Sequence, residues 1–326
     1  MRIALLLLAC AVLAPAQSLR IYAIDTEGGK ATLYVSPSGE SMLIDTGYDG
    51  LENRDANRIA SAAAAAGVKR INHLVITHFH ADHIGGLKQL LAKLPVEHIY
   101  DHGNTVEPGP GYDAYTAARG VIPHTVLQAG DSVPFKGVQV LVVASNGKMI
   151  EKPVAGSKEN PLWSSYKAIA NDPGENSQSL ALLITFGKLR ISDLGDLSWN
   201  KEHELACPVN KVGTVDLYMS THHGTKTSGP PQIIHALHPR VALMNNGATK
   251  GGSAETLSIL KASPGMTDTW QLHYSNAGGT EHNSAEQFLA NPVEKCNGEW
   301  LEVTGEKNGT IKISNHRNGF SKTYKP

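Results

Sequence analysis

The sequence predicts an α/β layered fold. Three observations carry that prediction: short apolar, β-branched runs recur along the chain, helical patterns separate several of them, and the strand-like runs end in polar residues or glycine. "LRIYAID" alternates like a strand and runs into a glycine turn, "TEGG". "ATLYVSP" and "SMLIDTG" are two more strands, joined as a hairpin by "SPSGE". The alanine-rich "NRDANRIASAAAAAGV" is a helix stopped at Gly67. "INHLVITH" follows as an apolar strand, and "HIGGLKQLLAKLP" as a helix starting directly behind it and closed by Pro95. "VQVLVVAS", "SLALLITFG", "KLRISDLGD", "VDLYMSTHHG" and "RVALMNNG" are further short strands, with "GPPQIIHALHP" and "SAETLSILKAS" as helices among them. Residues 103–120 and 145–175 are rich in Gly, Pro, Asn and Ser and lack periodicity. Loops of that length in a compact domain are more often functional than structural. Trp163 and Tyr166 lie in the second, to stack on a base or ring or to pin the loop to the body. The C-terminal "EWLEVTGEKNGTIKISNHRNG" reads as a hairpin turning at Asn308-Gly309.

The chain of 326 residues suits one large α/β domain with an appendage, and 41% hydrophobic residues supply a substantial core. A formal charge of −1 gives no overall basic field, so global electrostatics offers no argument for nucleic acid or an anionic membrane. "MRIALLLLACAVLAPA" has the parts of a secretory signal: Arg2, an apolar run over 3–13, and Ala14-Pro15-Ala16 for cleavage after Ala16. Its apolar run is short for a membrane span. The division expected is therefore a signal peptide over 1–16, a main domain over 17–290 and a C-terminal β extension over 291–326, with a secreted or periplasmic location. Export leaves Cys207 and Cys296, to pair or to stay free. Neither sits in a CxxC or beside a histidine, so thiolate catalysis has no support.

The chemistry concentrates in "THFHADHIGG", residues 77–86. His78 and His80 are two apart, so at a strand end they point the same way. Asp82 and His83 follow as the chain turns into the next helix, facing a second point. Imidazole with carboxylate suits a borderline divalent ion: zinc first, then manganese or iron. A closed structural zinc site would draw on cysteines, and none is near. Two other strand ends carry the same residue types: "ISDLGDL", with Asp193 and Asp196, and "YMSTHHG", with His222 and His223. Asp196 is favoured as a carboxylate between two cations because Gly195 before it permits close approach.

In this order and at these separations, "THFHADHIGG", "LGDL" and "HHG" resemble the metallo-β-lactamase fold superfamily, with "LIDTG" at 43–47 as its structural turn. The likeness covers roughly residues 20 to 250. It implies a four-layer αββα sandwich, here with the C-terminal β extension. "HHG", the proline-bearing helix after it and "PRVALMNNG" look most like the ComEC-type branch, known from DNA-uptake proteins. The resemblance implies that His78 and His80 hold one metal, that Asp82, His83 and His223 hold a second, and that Asp196 bridges them. His222 then handles a proton or supports a ligand. Two departures stand out. The third histidine expected for the first metal is absent from "PGENSQSLALL", leaving Asn176, Glu175 or water in its place. Lys30 in "DTEGGKA" stands where an acid is expected, and "KGGS" replaces a "GHP" after "NNG".

Two divalent metal ions bridged in this way imply a hydrolase whose hydroxide nucleophile is available near neutral pH. Asp82 would orient that nucleophile, and His222, His273 or His282 would protonate the leaving group. Lys226, just after "HHGT", is a candidate for holding an anionic substrate group, or simply a solvated loop lysine. The ComEC-type likeness implies phosphodiesters, of nucleic acid or of a small molecule. Lactam or lactone hydrolysis, a mononuclear iron redox enzyme and a degenerate metal-binding module are the other readings. Retention of both Asp196 and His223 weighs against the last.

Overall fold

The computed structural model describes residues 18–326, so the expected signal peptide lies outside the described residues. Six strands from the N-terminal half pair in chain order: β1 (Leu19–Ala23), β2 (Thr32–Val35), β3 (Ser41–Ile44), β4 (His73–Val75), β5 (Ile99–Asp101) and β6 (His124–Val126). Pairing is antiparallel up to β3 and parallel from β3 to β6. The second sheet is built from β7 (Ser132–Val133), β8 (Gln139–Ser145), β9 (Lys148–Met149), β10 (Ala181–Phe186), β11 (Leu189–Asp193), β12 (Leu217–Met219), β13 (Val241–Met244), β14 (Asp268–His273) and β15 (Leu289–Asn291). It is antiparallel up to β11 and parallel from β11 to β15. The chain then returns to the first sheet. β16 (Leu301–Gly305), β17 (Ile311–Asn315) and β18 (Ser321–Tyr324) extend it beyond β1, making nine strands in each sheet.

The layer order follows from which residues are apolar. Every residue of β3 and of β13 is buried, as strands covered on both faces require. Ile21, Met42 and Val75 point inward to meet Val140, Leu182 and Ile191 of the other sheet. Tyr22, Leu33, Leu43 and Leu74 point outward. They are covered by α1 (Arg54–Ala65), α2 (Ala81–Ile84), α3 (Leu87–Leu91) and α4 (Pro110–Arg119). On the far side α5 (Trp199–Ala206), α6 (Pro231–Leu237) and α7 (Ala254–Ala262) cover Val143, Leu183 and Tyr218. The molecule is thus an αββα sandwich, as the resemblance implies. Buried Trp270 on β14 donates its indole N–H to Tyr324 Oη on β18 at 2.8 Å, which ties the C-terminal meander across the sandwich.

Several expectations change. The helix expected behind the histidine run is two pieces, interrupted at Gly85-Gly86. The cause is packing: a Cβ on Gly86 would overlap the carbonyl oxygen of Thr46, so the backbone there lies against the "DTG" turn. Residues 103–120 are not all loop. Pro110 opens α4, and buried Tyr115 anchors it by donating to Asp101 Oδ2 at 2.7 Å. The extension has a third strand, β18, beyond the hairpin at Asn308-Gly309. Cys207 and Cys296 do not pair; both are free. Tyr166 pins its loop by stacking on His203, with ring centroids 3.6 Å apart, whereas Trp163 stands 50% exposed.

Cys296 instead borders a buried ion cluster that joins four parts of the chain. Asp25, just after β1, accepts from His273 Nε2 at 2.7 Å and from Arg58 Nη1 of α1 at 2.8 Å. The Cys296 thiol lies 3.3 Å from its Oδ2. Burial disfavours the charged imidazole of His273, but the Asp25 carboxylate outweighs that and raises its pKa from 6.5 to about 9. A histidine with a raised folded pKa contributes stability that is complete below the unfolded value and lost as pH rises through the folded one. His273→Gln is therefore expected to lower unfolding free energy by roughly 2–3 kcal/mol near pH 6, with the gap to wild type closing toward about pH 10. Urea titrations at the two pH values check this. A gap that does not change with pH would show that the pair supplies no linked stability.

Candidate metal centre

The histidine run, Asp196 and the two-histidine turn come from different strands, and the parallel pairing brings their C-terminal ends to one edge of the sandwich. β4 ends in 77–83, β11 in Asp196, β12 in His222 and His223. Strand ends on one side of a parallel sheet are where side chains can converge without breaking a ladder. Gly195, at φ +59°, makes the approach possible: a Cβ there would stand 3.0 Å from Thr77 Cβ and 3.1 Å from Ser179 Cβ. The backbone joins the two sheets at this point, with Leu180 N donating to Thr77 O at 2.8 Å, and the ends of β11 and β12 are tied by His222 N donating to Gly195 O at 3.0 Å.

Asp196 Oδ2 is the hub. His83 Nε2 lies 3.3 Å from it, His223 Nε2 3.2 Å, His222 Nε2 3.7 Å and His78 Nε2 4.0 Å. Asp82 Oδ2 shares two of these rings, at 3.1 Å from His83 Nε2 and 3.2 Å from His223 Nε2. His80 Nδ1 faces His78 Nε2 at 3.0 Å. Asp82, His83, Asp196 and His223 therefore form one compact donor group, and His78 with His80 a second group beside it.

Each ring is held by its other nitrogen. His83 Nδ1 donates to Asp45 Oδ2 at 2.8 Å, and Asp45 in turn accepts from Thr77 N and the Thr77 hydroxyl, each at 2.8 Å. His78 Nδ1 donates to Thr77 Oγ1 at 3.1 Å, and His223 Nδ1 to Asn245 O at 2.9 Å. His222 Nδ1 donates to Ser228 Oγ at 3.0 Å, and His80 Nε2 to Glu107 at 3.2 Å. The ring nitrogen facing inward is in each case the one free to ligate. Asp45, His222 and His223 all have φ between 51° and 62°, the left-handed region in which such residues are strained.

The electrostatics suits cations. Burial opposes charge on His83, yet Asp196, Asp82 and Asp45 outweigh it and raise its pKa well above the ordinary histidine value; burial opposes charge on His223 too, and Asp196 outweighs it and raises its pKa. Burial works against ionised Asp82 and Asp196 too, but the imidazoles hold both carboxyls well below the usual range. Burial and the neighbouring charge on His83 push His78 well down. The carboxylates thus favour positive charge on the rings beside them, which metal ions would supply in place of protons. Asp196 Oδ1 is buried without a hydrogen-bond partner, as is Asn176 Oδ1. An N/O donor set with an orphaned buried carboxylate oxygen fits borderline divalent ions.

Other sequence candidates fall elsewhere. Glu175 is no free ligand. Its Oε2 accepts from Phe79 N and His102 Nε2, its Oε1 from the Thr105 hydroxyl and Val106 N. Burial alone would raise its pKa, but the bonds from His102 and Thr105 bring it down to about 2. It braces the backbone between His78 and His80. Asp193 pairs with buried Lys30 and is not among the clustered donors. His273 belongs to the Asp25 cluster, and His282 hydrogen-bonds Gly278 O, so neither joins the centre. Lys226 is exposed in its loop. Lys250, within the "KGGS" departure, instead pairs with Asp82 Oδ2. Asp45 was visible only as part of a structural turn, and its bond to His83 needed the fold.

Asp45→Asn is expected to weaken metal affinity about 10–100-fold while leaving the fold intact, because His83 loses its carboxylate partner. Chelator competition with metal analysis reads this. Unchanged affinity in a folded variant would mean that Asp45 supports only the turn.

Residues 25–162 match the family model for the metallo-beta-lactamase superfamily. ComE operon protein 3 of Bacillus subtilis (strain 168) is 26% identical over 184 residues, which are 56% of this chain and 21% of that protein. The chain thus spans about a fifth of the length of that curated relative. Among solved structures, the metallo-beta-lactamase fold protein YhfI from Bacillus subtilis aligns with a TM-score of 0.49 at 11% identity, over 78% of this chain and 96% of that one. CmlA, a diiron beta-hydroxylase from Streptomyces venezuelae, aligns with a TM-score of 0.42 at 18% identity, over 72% and 46%. Residues 25–162 thus resemble the metallo-beta-lactamase superfamily, and the chain's sequence likeness is to its ComEC-type branch.

Proposed function

We propose that this chain is an exported dinuclear-metal hydrolase, with zinc the leading metal, acting on phosphodiester bonds. The observation that carries the hydrolytic reading is Asp196 Oδ2, set between two groups of imidazoles with its other oxygen buried and unpartnered. His78, His80 and Asn176 would hold one cation, and Asp82, His83 and His223 the other, with Asp196 between them. When bound, the pair of cations would supply Lewis acidity and a water activated for attack near neutral pH. The protein's own part is placement. Asp82 orients the attacking water from the His83–His223 side. His222, partly open to solvent and anchored through Ser228, carries a proton to the leaving oxygen. The phosphodiester choice rests on the ComEC-type likeness of "HHG" and "PRVALMNNG". Export rests on the first sixteen residues alone.

The test is turnover of bis(p-nitrophenyl) phosphate and of nitrocefin by residues 17–326 loaded with zinc or manganese, with Asp196→Ala as control. Phosphodiester hydrolysis that falls at least about 100-fold in the variant supports the reading. Nitrocefin turnover alone would put lactam hydrolysis in its place. Silence on both, with two metals bound, would refute the substrate class. Asn176→Ala is expected to lower metal content toward one ion per chain by mass spectrometry; two ions retained would remove Asn176 from the ligand set.

A further inference from the structure

Lys250 lies in the loop after β13, and three features fix it beside the metal centre. Its backbone is held on the ligand turn itself. Gly252 N donates to His223 O and Ser253 N to Gly224 O, each at 2.9 Å, and Gly247 N donates to Lys250 O at 2.9 Å. A Cβ on Gly251 would overlap His223 O, so nothing larger than glycine lets the loop lie this close. The lysine stem is packed as well. Gly28, at φ +96°, leaves room for it, since a Cβ there would stand 2.8 Å from Lys250 Cβ. The ammonium lies 5.9 Å from the centroid of the Tyr48 ring. Finally, the ammonium meets Asp82 Oδ2, the oxygen shared by His83 and His223, while its side chain remains 34% exposed.

Two other basic groups near the centre are disposed differently. Lys30 is buried and committed to Asp193, and Lys226 is exposed with no bond to the cluster. Lys250 alone among these three reaches both a ligand carboxylate and solvent. With cations on Asp82, that carboxylate's charge is engaged, and the ammonium is left as a positive group at the open margin of the centre. Its reach and charge suit a phosphate oxygen that does not take part in bond breaking.

We infer that Lys250, braced by Tyr48 and Gly28, is the residue that binds the anionic oxygen of a phosphoester at this centre. The inference rests on the phosphodiester reading given above. It adds a substrate-binding residue at a position the sequence likeness does not supply.

The experiment compares wild type, Lys250→Met and Lys250→Arg, each metal-loaded. Metal content is read by mass spectrometry, inorganic phosphate affinity by calorimetry, and KM and kcat on bis(p-nitrophenyl) phosphate. In Lys250→Met the expected result is unchanged metal content and phosphate affinity weakened tenfold or more, with KM raised by a similar factor and kcat changed much less. Lys250→Arg should recover most of the affinity. Phosphate affinity that is equal in wild type and Lys250→Met would overturn the inference, as would wild type that binds no phosphate. A variant that only takes up metal more tightly would overturn it too, since Lys250 would then be a counter-charge for Asp82. Phosphate binding lost as expected in a protein that turns over no diester would uphold Lys250 and refute the phosphodiesterase reading instead.

Discussion

The centre depends on one carboxylate. Asp196 is buried at the end of a strand in one sheet, and every imidazole but His80 has a nitrogen within 4.0 Å of its Oδ2. An ionised carboxylate in such a place is tolerated only where positive partners surround it. It raises the pKa of His83 and His223 against the effect of burial, while burial and the neighbouring His83 lower that of His78. The contact between the sheets is built around that need. Gly195 brings the β11 end against Thr77 and Ser179, and Ser179 Oγ accepts from Asp196 N at 3.2 Å. A side chain at 195 would part the strands that deliver the two sets of donors.

Rigidity around the hub comes from bonds that do not face it. Five rings are each anchored by the nitrogen turned away from the centre, through Asp45, Thr77, Asn245 O, Ser228 and Glu107. The anchors lie on both sheets, so rotating one ring means breaking a bond in the frame. The left-handed backbone at His222 and His223 fits the same picture. Strain of order 1–3 kcal/mol per residue persists only where the surroundings over-determine it. The bonds from Gly252 and Ser253 to the "HHG" turn do that here. The long loop, by contrast, is attached through Tyr166 and leaves Trp163 in solvent, away from this frame.

Much of this was legible in the sequence because the donors are local in the chain. "THFHADH" places four of them within six positions, and strand periodicity sends them to one end. Asp196 over Asp193 could be argued from Gly195 alone. What stayed hidden depends on contacts between distant segments. Asp45 meets His83 across 38 positions and Lys250 meets Asp82 across 168, and no local pattern marks either. Glu175 looked like a stand-in ligand because it has the right chemistry near the right strand. Its four hydrogen bonds, all to residues 79–106, show that it has another task. The break at Gly85-Gly86 had a visible glycine pair, but the reason for it is the Thr46 carbonyl, contributed by another part of the chain. Helix α4 escaped notice because composition favoured a loop, and its stability comes from burying Tyr115 against Asp101.

The two parts of the second departure from the resemblance, Lys30 and the altered loop, turn out to be related in charge. Lys30 stands in place of an expected acid and neutralises Asp193 from beneath, while Lys250 stands in the altered loop and meets Asp82 from the open side. Asp45, Asp82, Asp193 and Asp196 would otherwise present four carboxylates around one small space. In a low-dielectric setting each unit charge added or removed there changes the field strongly. Lys30 is buried with its partner, so its charge stays with Asp193. Lys250 has a route to solvent, and its charge can turn outward once Asp82 is otherwise engaged. Under the proposed function, Lys30 and Lys250 would shift the site away from a purely anionic cage, toward one that could hold cations and still present positive charge to an incoming anion.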